Sequence, residues 1–296
     1  MNQQLTVREA YLEASSFLNK TKNQNTQDPS QVCRWMLEAL FEWKHNDFFL
    51  RWNEPFPMDK SEQWQDMLNR KTAGEPVQYI IGSQEFYGYN FKVTPSVLIP
   101  RPETEILVEK MMQECRHIWQ HGEPIIADVG TGSGIIPTTL AINNPSWKFI
   151  AIDISDQALH IAKENALAHE VKEQIEFVQG DLLEPLIESK REIDVLISNP
   201  PYIPSKDMQE LQTEVKDFEP SNALDGGTDG LYFYEKMIKQ ISELSKIPKV
   251  VGFEVGQGQT KEVAAWLKQL NQWNEVYIVD DLAGIGRHVL AIRGEL

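Results

Sequence analysis

The sequence predicts an α/β fold in which a mostly parallel, seven-stranded sheet carries helices on both faces, with a helical bundle and a β-hairpin before it. Two observations favour this architecture. From residue 102 onward, short apolar runs alternate with stretches of helical period, which is typical of a parallel sheet buried between helices. Up to residue 76, apolar residues recur at helical spacing. A chain of 296 residues, 41% of them hydrophobic, is long enough for two domains with cores of their own.

Residues 1–76 are predicted to form the helical domain. Asp28 and Pro29 mark one helix start, because an aspartate caps the free N–H groups of a first turn and proline is tolerated there. Gly74 and Pro76 end the last helix of the bundle. No catalytic pattern lies in this stretch.

Residues 77–97 are predicted to form a β-hairpin that links the two domains. The pattern of apolar residues changes here, and two stretches, 78–82 and 85–93, favour extended strands. Gly88 and Asn90 indicate the turn region, since both residue types tolerate the backbone angles of a tight turn.

Residues 98–296 are predicted to contain the sheet. Its strands are the short apolar runs 125–129, 148–152, 175–178, 193–198, 250–255, 275–279 and 287–293. Helices, 157–168 and 260–270 among them, connect the strands. Because the ligands of such sheets bind beyond the carboxyl ends of the strands, functional residues are expected directly after strands.

The charge of the chain weighs against two classes of partner. The chain carries 28 basic and 44 acidic residues, a net charge of −16, but residues 1–80 hold 9 basic and 11 acidic side chains. The rest is strongly acidic, which argues against binding nucleic acid phosphates or an anionic membrane. No apolar run approaches the roughly 20 residues of a membrane helix. Residues 1–80, in contrast, are close to neutral.

Cysteine and histidine residues indicate a compartment and weigh against a metal. Cys33 and Cys115 cannot build a disulfide framework and, with a polar N-terminus unlike a signal peptide, they predict a cytoplasmic location. His117 and His121 lie four residues apart on a predicted helix. No second cluster completes a set of four metal ligands, so no metal is expected.

A glycine-rich loop follows the first strand of the sheet. It consists of Gly130, Thr131, Gly132, Ser133 and Gly134. Glycine lets the backbone turn tightly and lets a ligand approach, and the following helix offers free N–H groups. Asp153 ends the next strand, where its carboxylate can accept hydrogen bonds from both hydroxyls of a ribose. The alternative, a dinucleotide-binding domain, would place the third glycine one residue later.

The G-x-G-x-G spacing, preceded by Asp128, resembles the S-adenosylmethionine loop of class I methyltransferases. In those enzymes the segment after the third strand usually holds the adenine, and here that segment is Gly180-Asp181-Leu182. The Asp181 carboxylate either accepts a hydrogen bond from the adenine amino group or is an ordinary acid of a turn.

A second motif follows the fourth strand, beside the expected methyl donor. It consists of Asn199, Pro200, Pro201 and Tyr202. An amide or aryl amine nitrogen is a poor nucleophile because its lone pair is delocalised, so a site must hold the NH₂ group and stabilise its developing charge. The Asn199 side-chain oxygen and the Pro200 carbonyl can each accept one N–H. Pro201 constrains the backbone and the Tyr202 ring can lie against the substrate, which is typical of methyltransferases of adenine, guanine or glutamine.

Longer segments narrow this choice. They comprise residues 74–82, 85–88, 98–105, 128–134, 198–203, 218–220 and 252–256. In these segments the chain resembles the peptide chain release factor glutamine methyltransferases, the HemK/PrmC family. The resemblance runs from about residue 74 to the C-terminus, and the helical domain agrees with it in size and position. The combination of residues 98–105 with 199–202 is highly specific.

The resemblance implies a class I methyltransferase domain with a Rossmann-like sheet. It implies S-adenosylmethionine as the methyl donor and S-adenosylhomocysteine as the product. The substrate would be the side-chain nitrogen N5 of the glutamine in the Gly-Gly-Gln motif of class I release factors. The helical domain would help to recognise the release factor.

The resemblance also implies roles for individual residues. The donor would bind to the residues Gly130, Thr131, Gly132, Ser133, Gly134, Asp153, Asp181 and Leu182. The glutamine would bind to Asn199, Pro200, Pro201 and Tyr202, of which Asn199, Pro200 and Tyr202 are catalytic and Asn199 touches both ligands. Leu182 stands where some members place an aromatic side chain against the adenine. Leu98 either walls the glutamine pocket or packs in the core.

Two other classes of function are compatible with parts of this pattern. An adenine or guanine N-methyltransferase of DNA or RNA would hold its amine in the same way, but it needs a flipped base and phosphate contacts. A non-catalytic protein-binding module is the other alternative, and the intact residues Asn199 and Asp153 argue against it. Arg101 is expected to meet either an acid or the carboxylate of the donor.

Overall fold

The structure is a computed structural model that describes residues 5–20, 27–120 and 122–293. The chain forms two compact units, which we call the helical unit and the sheet unit. The helical unit comprises residues 1–83 and 211–218, and the sheet unit comprises residues 84–210 and 219–296. Within the described ranges, no helix is both long enough and apolar enough to cross a membrane.

The helical unit is built mainly from the N-terminal part of the chain. Its helices there are α1 (Val7–Lys20), α2 (Pro29–Leu40), α3 (His45–Leu50), α4 (Ser61–Thr72) and α5 (Val77–Ile81). The predicted start of α2 is confirmed, since Pro29 is its first residue and the Asp28 carboxylate accepts a hydrogen bond from the Ser30 N–H at 2.9 Å. The core is partly aromatic, with the rings of Phe48 and Trp52 packed edge to face 5.1 Å apart.

The prediction of an extended strand at residues 78–82 is wrong, because this stretch lies in α5. The Pro76 carbonyl accepts hydrogen bonds from the N–H groups of Tyr79 and Ile80, at 3.0 and 3.2 Å, which closes a helical turn. Gly82 ends the helix in the left-handed conformation, with a φ of 80°. An apolar run alone does not distinguish a strand from a short buried helix, whereas a proline before it and a glycine after it are helix signals.

The predicted hairpin is present but shorter, with strands β1 (Ser83–Phe86) and β2 (Tyr89–Lys92). Tyr87 and Gly88 form its turn, with φ angles of 54° and 77°. Positive φ at both central residues is what a two-residue hairpin turn of the favoured twist requires. Phe86 and Phe91 bury the hairpin against the core of the sheet unit.

The described part of the sheet unit contains a seven-stranded, mostly parallel sheet, which confirms the predicted fold class. Its strands are β3 (Ile125–Val129), β4 (Lys148–Asp153), β5 (Ile175–Gln179), β6 (Val195–Ser198), β7 (Val250–Glu254), β8 (Glu275–Asp280) and β9 (Gly286–Ile292). They lie in the order β5-β4-β3-β6-β7-β9-β8, and β9 runs antiparallel to both of its neighbours. The carboxyl ends of β3 to β7 therefore meet at one edge of the sheet.

Helices cover both faces of this sheet. The remaining helices are α6 (Pro102–Trp119), α7 (Ile135–Asn143), α8 (Asp156–Ala168), α9 (Glu184–Ser189), α10 (Thr213–Phe218), α11 (Tyr232–Ile241) and α12 (Thr260–Gln269). Successive residues of a strand point to opposite faces, so Ile126 joins one core, with α6 and α7, and Ala127 joins the other, with α11 and α12. The sheet is thus buried on both sides, as its continuous apolar strands predict.

One of these helices, α10, belongs to the helical unit. The ammonium group of Lys71 in α4 lies 2.5 Å from the Glu214 carboxylate of α10, and the Lys71 side chain is fully buried. Lys71 also donates a hydrogen bond to the Glu75 carbonyl at 3.2 Å. Because a buried ammonium group requires a paired charge, this contact fixes α10 to α4.

Candidate active site

A cavity of about 220 Å³ lies at the carboxyl ends of the parallel strands. It brings together many of the residues that the sequence singles out. Of the predicted site residues, Leu98, Gly130, Gly132, Asp153, Asp181, Leu182, Asn199, Pro200 and Pro201 line it. Thr131, Ser133, Gly134 and Tyr202 do not line it. Leu98 thus stands at the cavity wall rather than within the core.

The three glycines of the loop after β3 do different work. A Cβ atom at Gly130 or Gly132 would meet no atom within 4 Å, so these positions leave open space beside the backbone. Gly132 also has a φ of 55°, which disfavours a side chain. A Cβ atom at Gly134, in contrast, would lie 2.8 Å from the Ala162 Cβ atom. Gly134 therefore allows α7 to pack on α8, while the first two glycines allow a ligand to approach.

Thr131 and Ser133 are buried inside the loop. The Thr131 N–H donates to the Ile152 carbonyl at 3.0 Å, and the Ser133 carbonyl accepts a hydrogen bond from the Asn165 side chain at 2.8 Å. The backbone groups of these two residues therefore fix the shape of the loop. The sequence motif alone does not distinguish residues that shape the loop from residues that contact a ligand.

Asp153, the last residue of β4, is bound to the glycine loop. Its Oδ2 atom accepts a hydrogen bond from the Gly132 N–H at 2.8 Å, and Oδ1 accepts one from the Ser155 N–H at 2.9 Å. Burial raises the pKa of this carboxyl group, and the backbone donors act in the opposite direction. A carboxylate has about four lone-pair sites, so Asp153 keeps acceptor capacity for hydroxyl groups of a ligand in the cavity.

Asn199 follows β6 and reaches the cavity with Pro200 and Pro201. Its Nδ2 atom donates a hydrogen bond to the Thr104 hydroxyl at 3.1 Å. Among the described residues, Asn199 Oδ1 accepts no hydrogen bond. The amide therefore retains a free acceptor atom at the cavity wall.

Tyr202, unlike the other three residues of its motif, does not line the cavity. The Arg287 guanidinium group lies 5.5 Å from the centre of the Tyr202 ring and donates a hydrogen bond to the Tyr202 hydroxyl at 3.2 Å. Burial raises the pKa of this phenol. The Tyr202 ring thus packs against Arg287 in a cation–π contact, in which the guanidinium group lies over the ring face.

Asp181 and Leu182 line the cavity after β5. The Asp181 carboxylate lies 2.5 Å from the Lys236 ammonium group, so the acid that the sequence leaves open is part of an ion pair. Leu182 has a φ of 53°, which is uncommon for a residue with a side chain. The leucine side chain contributes apolar surface to the wall.

The two parts of the chain also match known families. Residues 102–217 match the family model of the methyltransferase small domain, and residues 9–82 match that of the PrmC N-terminal domain. The release factor glutamine methyltransferase of Bacillus subtilis (strain 168) is 39% identical over 288 residues, which cover 97% of this chain and 98% of that protein. That of Koribacter versatilis is 40% identical over 290 residues, with coverage of 97% and 98%. The chain belongs to the release factor glutamine methyltransferase family.

Solved structures share the fold of this release factor glutamine methyltransferase family member. The human METTL16 catalytic domain in complex with MAT2A 3′UTR hairpin 6 has a TM-score of 0.54 at 16% identity, covering 81% of this chain and 84% of that chain. The N-terminal domain of human METTL16 in complex with SAH has a TM-score of 0.53 at 16% identity, covering 86% and 93%. At this identity the likeness concerns the fold, and with the methyltransferase family model it confirms a class I methyltransferase fold.

The segment 98–105, one of those that carry the resemblance to the release factor glutamine methyltransferases, resolves the question of Arg101. Its guanidinium group lies 2.5 Å from the Glu219 carboxylate, which is buried and also accepts a hydrogen bond from the Ile99 N–H at 3.2 Å. Arg101 therefore meets an acid. These contacts fix Glu219 to residues 99–101, and the next residue in the chain, Pro220, lines the cavity.

Sequence reasoning missed several residues of this release factor glutamine methyltransferase site. Ile154, Phe233, Asn222 and Ala223 also line the cavity. Ile154 is 62% exposed although it is large and apolar, and its position directly after Asp153 is the signal that could have found it.

His121, one of the two histidines considered as metal ligands in the sequence, lies outside the described residues. Among the described residues, no group of three or more acidic, cysteine or histidine side chains could hold a metal ion.

Two further residues stand behind the cavity of this family member. Thr104, in the first turn of α6, and Glu254, at the end of β7, are both almost fully buried and share a hydrogen bond of 2.7 Å. Thr104 contacts Asn199, as described above. An acid that ends a strand is the signal that singled out Asp153, and it applies equally to Glu254.

Proposed function

We propose that this chain transfers a methyl group from S-adenosylmethionine to the side-chain nitrogen N5 of the glutamine in the Gly-Gly-Gln motif of class I peptide chain release factors. The observation that carries the proposal is that one cavity joins the glycine loop and Asp153 to Asn199, Pro200 and Pro201. Relatives named release factor glutamine methyltransferase, which match nearly the whole chain, support the choice of glutamine over a nucleic acid base.

The donor side of the cavity, which we define as residues 130–134 and Asp153, fits S-adenosylmethionine. Open space at Gly130 and Gly132 admits a ligand close to the backbone, and Asp153 has acceptor capacity for the ribose hydroxyls. Apolar wall from Ile154 and Leu182 suits a flat ring such as adenine. When it is bound, S-adenosylmethionine supplies the electrophilic methyl group and becomes S-adenosylhomocysteine. In this assignment Thr131, Ser133 and Gly134 serve the donor by shaping the loop.

The acceptor side, which we define as Asn199, Pro200 and Pro201, holds the amide. Asn199 Oδ1 and the Pro200 carbonyl each accept one N–H of the substrate, and Leu98 walls the pocket. These acceptors interact more strongly as positive charge develops on the nitrogen, which favours the transition state over the bound substrate. Fixing the amide beside the donor also removes the entropic cost of alignment. The methylated nitrogen is acidic enough to lose its proton without a strong base in the cavity.

Tyr202 supports the acceptor side from outside the cavity. Its ring is held by Arg287, so we assign it the role of fixing the end of the proline turn rather than stacking on the substrate. A variant that keeps the ring, Tyr202→Phe, would then retain most of the activity.

The helical unit is proposed to help recognise the release factor. It is close to neutral, with 9 basic and 11 acidic side chains in residues 1–80, whereas the rest of the chain is acidic. Since release factors act in translation, we place the reaction in the cytoplasm. The acidic charge also disfavours a direct nucleic acid substrate.

The test incubates the full chain with methyl-labelled S-adenosylmethionine and a class I release factor, a release factor whose Gly-Gly-Gln glutamine is replaced by glutamate, or RNA and DNA. Label on the first substrate, located by mass spectrometry on the motif glutamine and absent from the glutamate variant, is expected. Label on nucleic acid alone would overturn the proposal. Asn199→Ala serves as the matched inactive enzyme.

A further inference from the structure

Three polar side chains from distant parts of the chain form one connected row behind the cavity. Asn199 Nδ2 donates to the Thr104 hydroxyl at 3.1 Å, and the Thr104 hydroxyl donates to Glu254 Oε2 at 2.7 Å. Thr104 is 1% exposed and Glu254 is 0% exposed. The row therefore starts at a residue of the cavity wall and ends at a fully buried carboxyl group.

The donors and acceptors of this row allow one orientation of the Asn199 amide. A hydroxyl group has a single hydrogen, and when Glu254 is ionised its carboxylate only accepts, so the Thr104 hydrogen is then taken by Glu254. The Thr104 oxygen can then only accept, and of the two ends of the amide, only the NH₂ group can donate to it. If the amide were turned over, Asn199 Oδ1 would face the Thr104 oxygen with no hydrogen between them. The orientation of an amide is assigned from such a network.

We propose that Thr104 and Glu254 are positioning residues that hold the Asn199 amide with Oδ1 towards the substrate. The inference rests on the proposed function, because an acceptor is needed there only if the substrate presents an N–H group. A turned amide would offer an NH₂ group to the NH₂ group of a glutamine, and the two donors would repel each other. The row thus selects the orientation of the Asn199 amide in which Oδ1 can accept the substrate N–H.

The burial of Glu254 supports a functional reason for the row. Its neighbours in the chain, Phe253 and Val255, are fully buried apolar residues, and packing alone would be served by another apolar side chain. Its second oxygen, Oε1, has no hydrogen-bond partner within the described part of the chain. A buried acid with an unsatisfied oxygen costs stability, so the fold itself does not explain its presence.

The first test compares Thr104→Val, which removes the hydroxyl at nearly constant volume, with Thr104→Ser, which keeps it. Thr139→Val in α7 is the matched control, since Thr139 is also fully buried and its hydroxyl has no hydrogen-bond partner among the described residues. We expect kcat for release factor methylation to fall by about tenfold or more in T104V, while the donor Kd changes by less than about threefold. Thr104→Ser should restore kcat to within about threefold of wild type, and T139V should match wild type.

The second test measures the amide itself. In the full chain labelled with ¹⁵N-asparagine, the side-chain NH₂ signals of Asn199 are assigned by their absence in Asn199→Ala. We expect them to exchange slowly with solvent in wild type and T104S, and about tenfold faster in T104V, because the NH₂ group loses a buried acceptor. Unchanged exchange in T104V, or turnover as high as wild type, would overturn the positioning role. If T104V does not fold, Thr104→Ala, which adds no bulk, carries both measurements.

The amide measurement separates this inference from the proposed function. It needs no release factor, so the expected change in exchange can be seen even if the wild-type chain labels no release factor. In that case the amide would still be held by Thr104 and Glu254, and only the identity of the methylated substrate would be wrong. If the wild type labels the release factor and T104V labels it equally well, the proposed function stands and the positioning role falls.

Discussion

The donor side and the acceptor side of the cavity are built in different ways. On the donor side, backbone groups of one loop meet the acid at the end of the neighbouring strand, and the contact between Gly132 and Asp153 spans 21 residues. On the acceptor side, Asn199 is held by buried side chains behind the cavity. The contacts of Thr104 with Asn199 and Glu254 span 95 and 150 residues. The first arrangement follows from local chain geometry, whereas the second exists only after the sheet has assembled.

This difference predicts how substitutions on each side affect donor affinity and turnover. A backbone loop tolerates changes in its side chains as long as its turn and its space are kept, so single substitutions should cost mainly affinity. A row of buried side chains fails as soon as one partner is removed, because the others lose a bond that water cannot replace. The acceptor side should therefore show the larger losses, and they should appear in turnover.

The largest effect is expected for Asn199→Ala. This variant removes the fixed acceptor for the substrate N–H, and we expect kcat to fall by about 100- to 1,000-fold, the range seen when one such transition-state contact is lost. The donor Kd should change by less than about tenfold. Steady-state turnover with calorimetric donor titration measures both quantities. A loss confined to the donor Kd would reverse the comparison between the two sides.

The fold could be predicted well because its strands are buried on both faces and appear as continuous apolar runs, such as residues 125–129, which form β3 with the same bounds. The donor loop could be predicted because its glycines and Asp153 lie at the ends of consecutive strands. The helix α5 was missed because its apolar run resembles a strand. The contact between Thr104 and Glu254 could not be predicted, because no local pattern joins the first turn of α6 to the end of β7.

The position of Tyr202 could not be predicted for a related reason. The motif places Tyr202 next to Pro201 in the chain, and a flat ring beside a flat substrate is a reasonable expectation. The contact that could not be foreseen is that of the ring with Arg287, which lies 85 residues further along the chain in β9. Adjacent residues of a tight turn point in different directions, and the partner of each is decided by the tertiary fold.

The second prediction concerns pH, because a buried acid, Glu254, stands behind the acceptor side. Burial raises the pKa of Glu254 from 4.5 to about 7. The folded state then holds its proton more tightly than the unfolded state. The stability that this proton contributes is fully present below pH 4.5 and is lost as the pH rises towards 7, by about 3 kcal/mol at most. Glu254→Gln has no such proton, so it is the matched variant.

The free energy of unfolding of the wild type, minus that of Glu254→Gln, should therefore fall as the pH rises from 4.5 to 7. Urea unfolding at several pH values measures it. The difference removes the effect of His288, whose pKa burial lowers to about 4 and which destabilises the folded state on acidification in both proteins. A difference that is flat between pH 4.5 and 7 would contradict a raised pKa at Glu254.

The third prediction concerns Asp153→Ala on the donor side. The loss of a partly buried carboxylate that accepts hydrogen bonds should weaken donor binding by about 1–3 kcal/mol. At a saturating donor concentration, kcat should stay close to that of the wild type. Asp156→Ala is a suitable control, because Asp156 is an exposed acid of α8 only three residues away. A kcat at saturation that is as low as in Asn199→Ala would remove the distinction between the two sides.

The smallest effect is expected for Asp181→Asn, which changes the acid that lines the cavity after β5. Its carboxylate is paired with Lys236 and its side chain is 39% exposed. Water and the Lys236 ammonium group therefore already occupy much of the hydrogen-bonding capacity of this carboxylate. The substitution keeps an acceptor oxygen, and exposed ion pairs contribute little, so the donor affinity should change by less than about 1 kcal/mol. Donor titrations of Asp181→Asn and Asp153→Ala under the same buffer rank the two acids. If Asp181→Asn weakened binding as much as Asp153→Ala does, the Asp181 side chain would contact the donor directly, and the donor side would depend on side chains as strongly as the acceptor side.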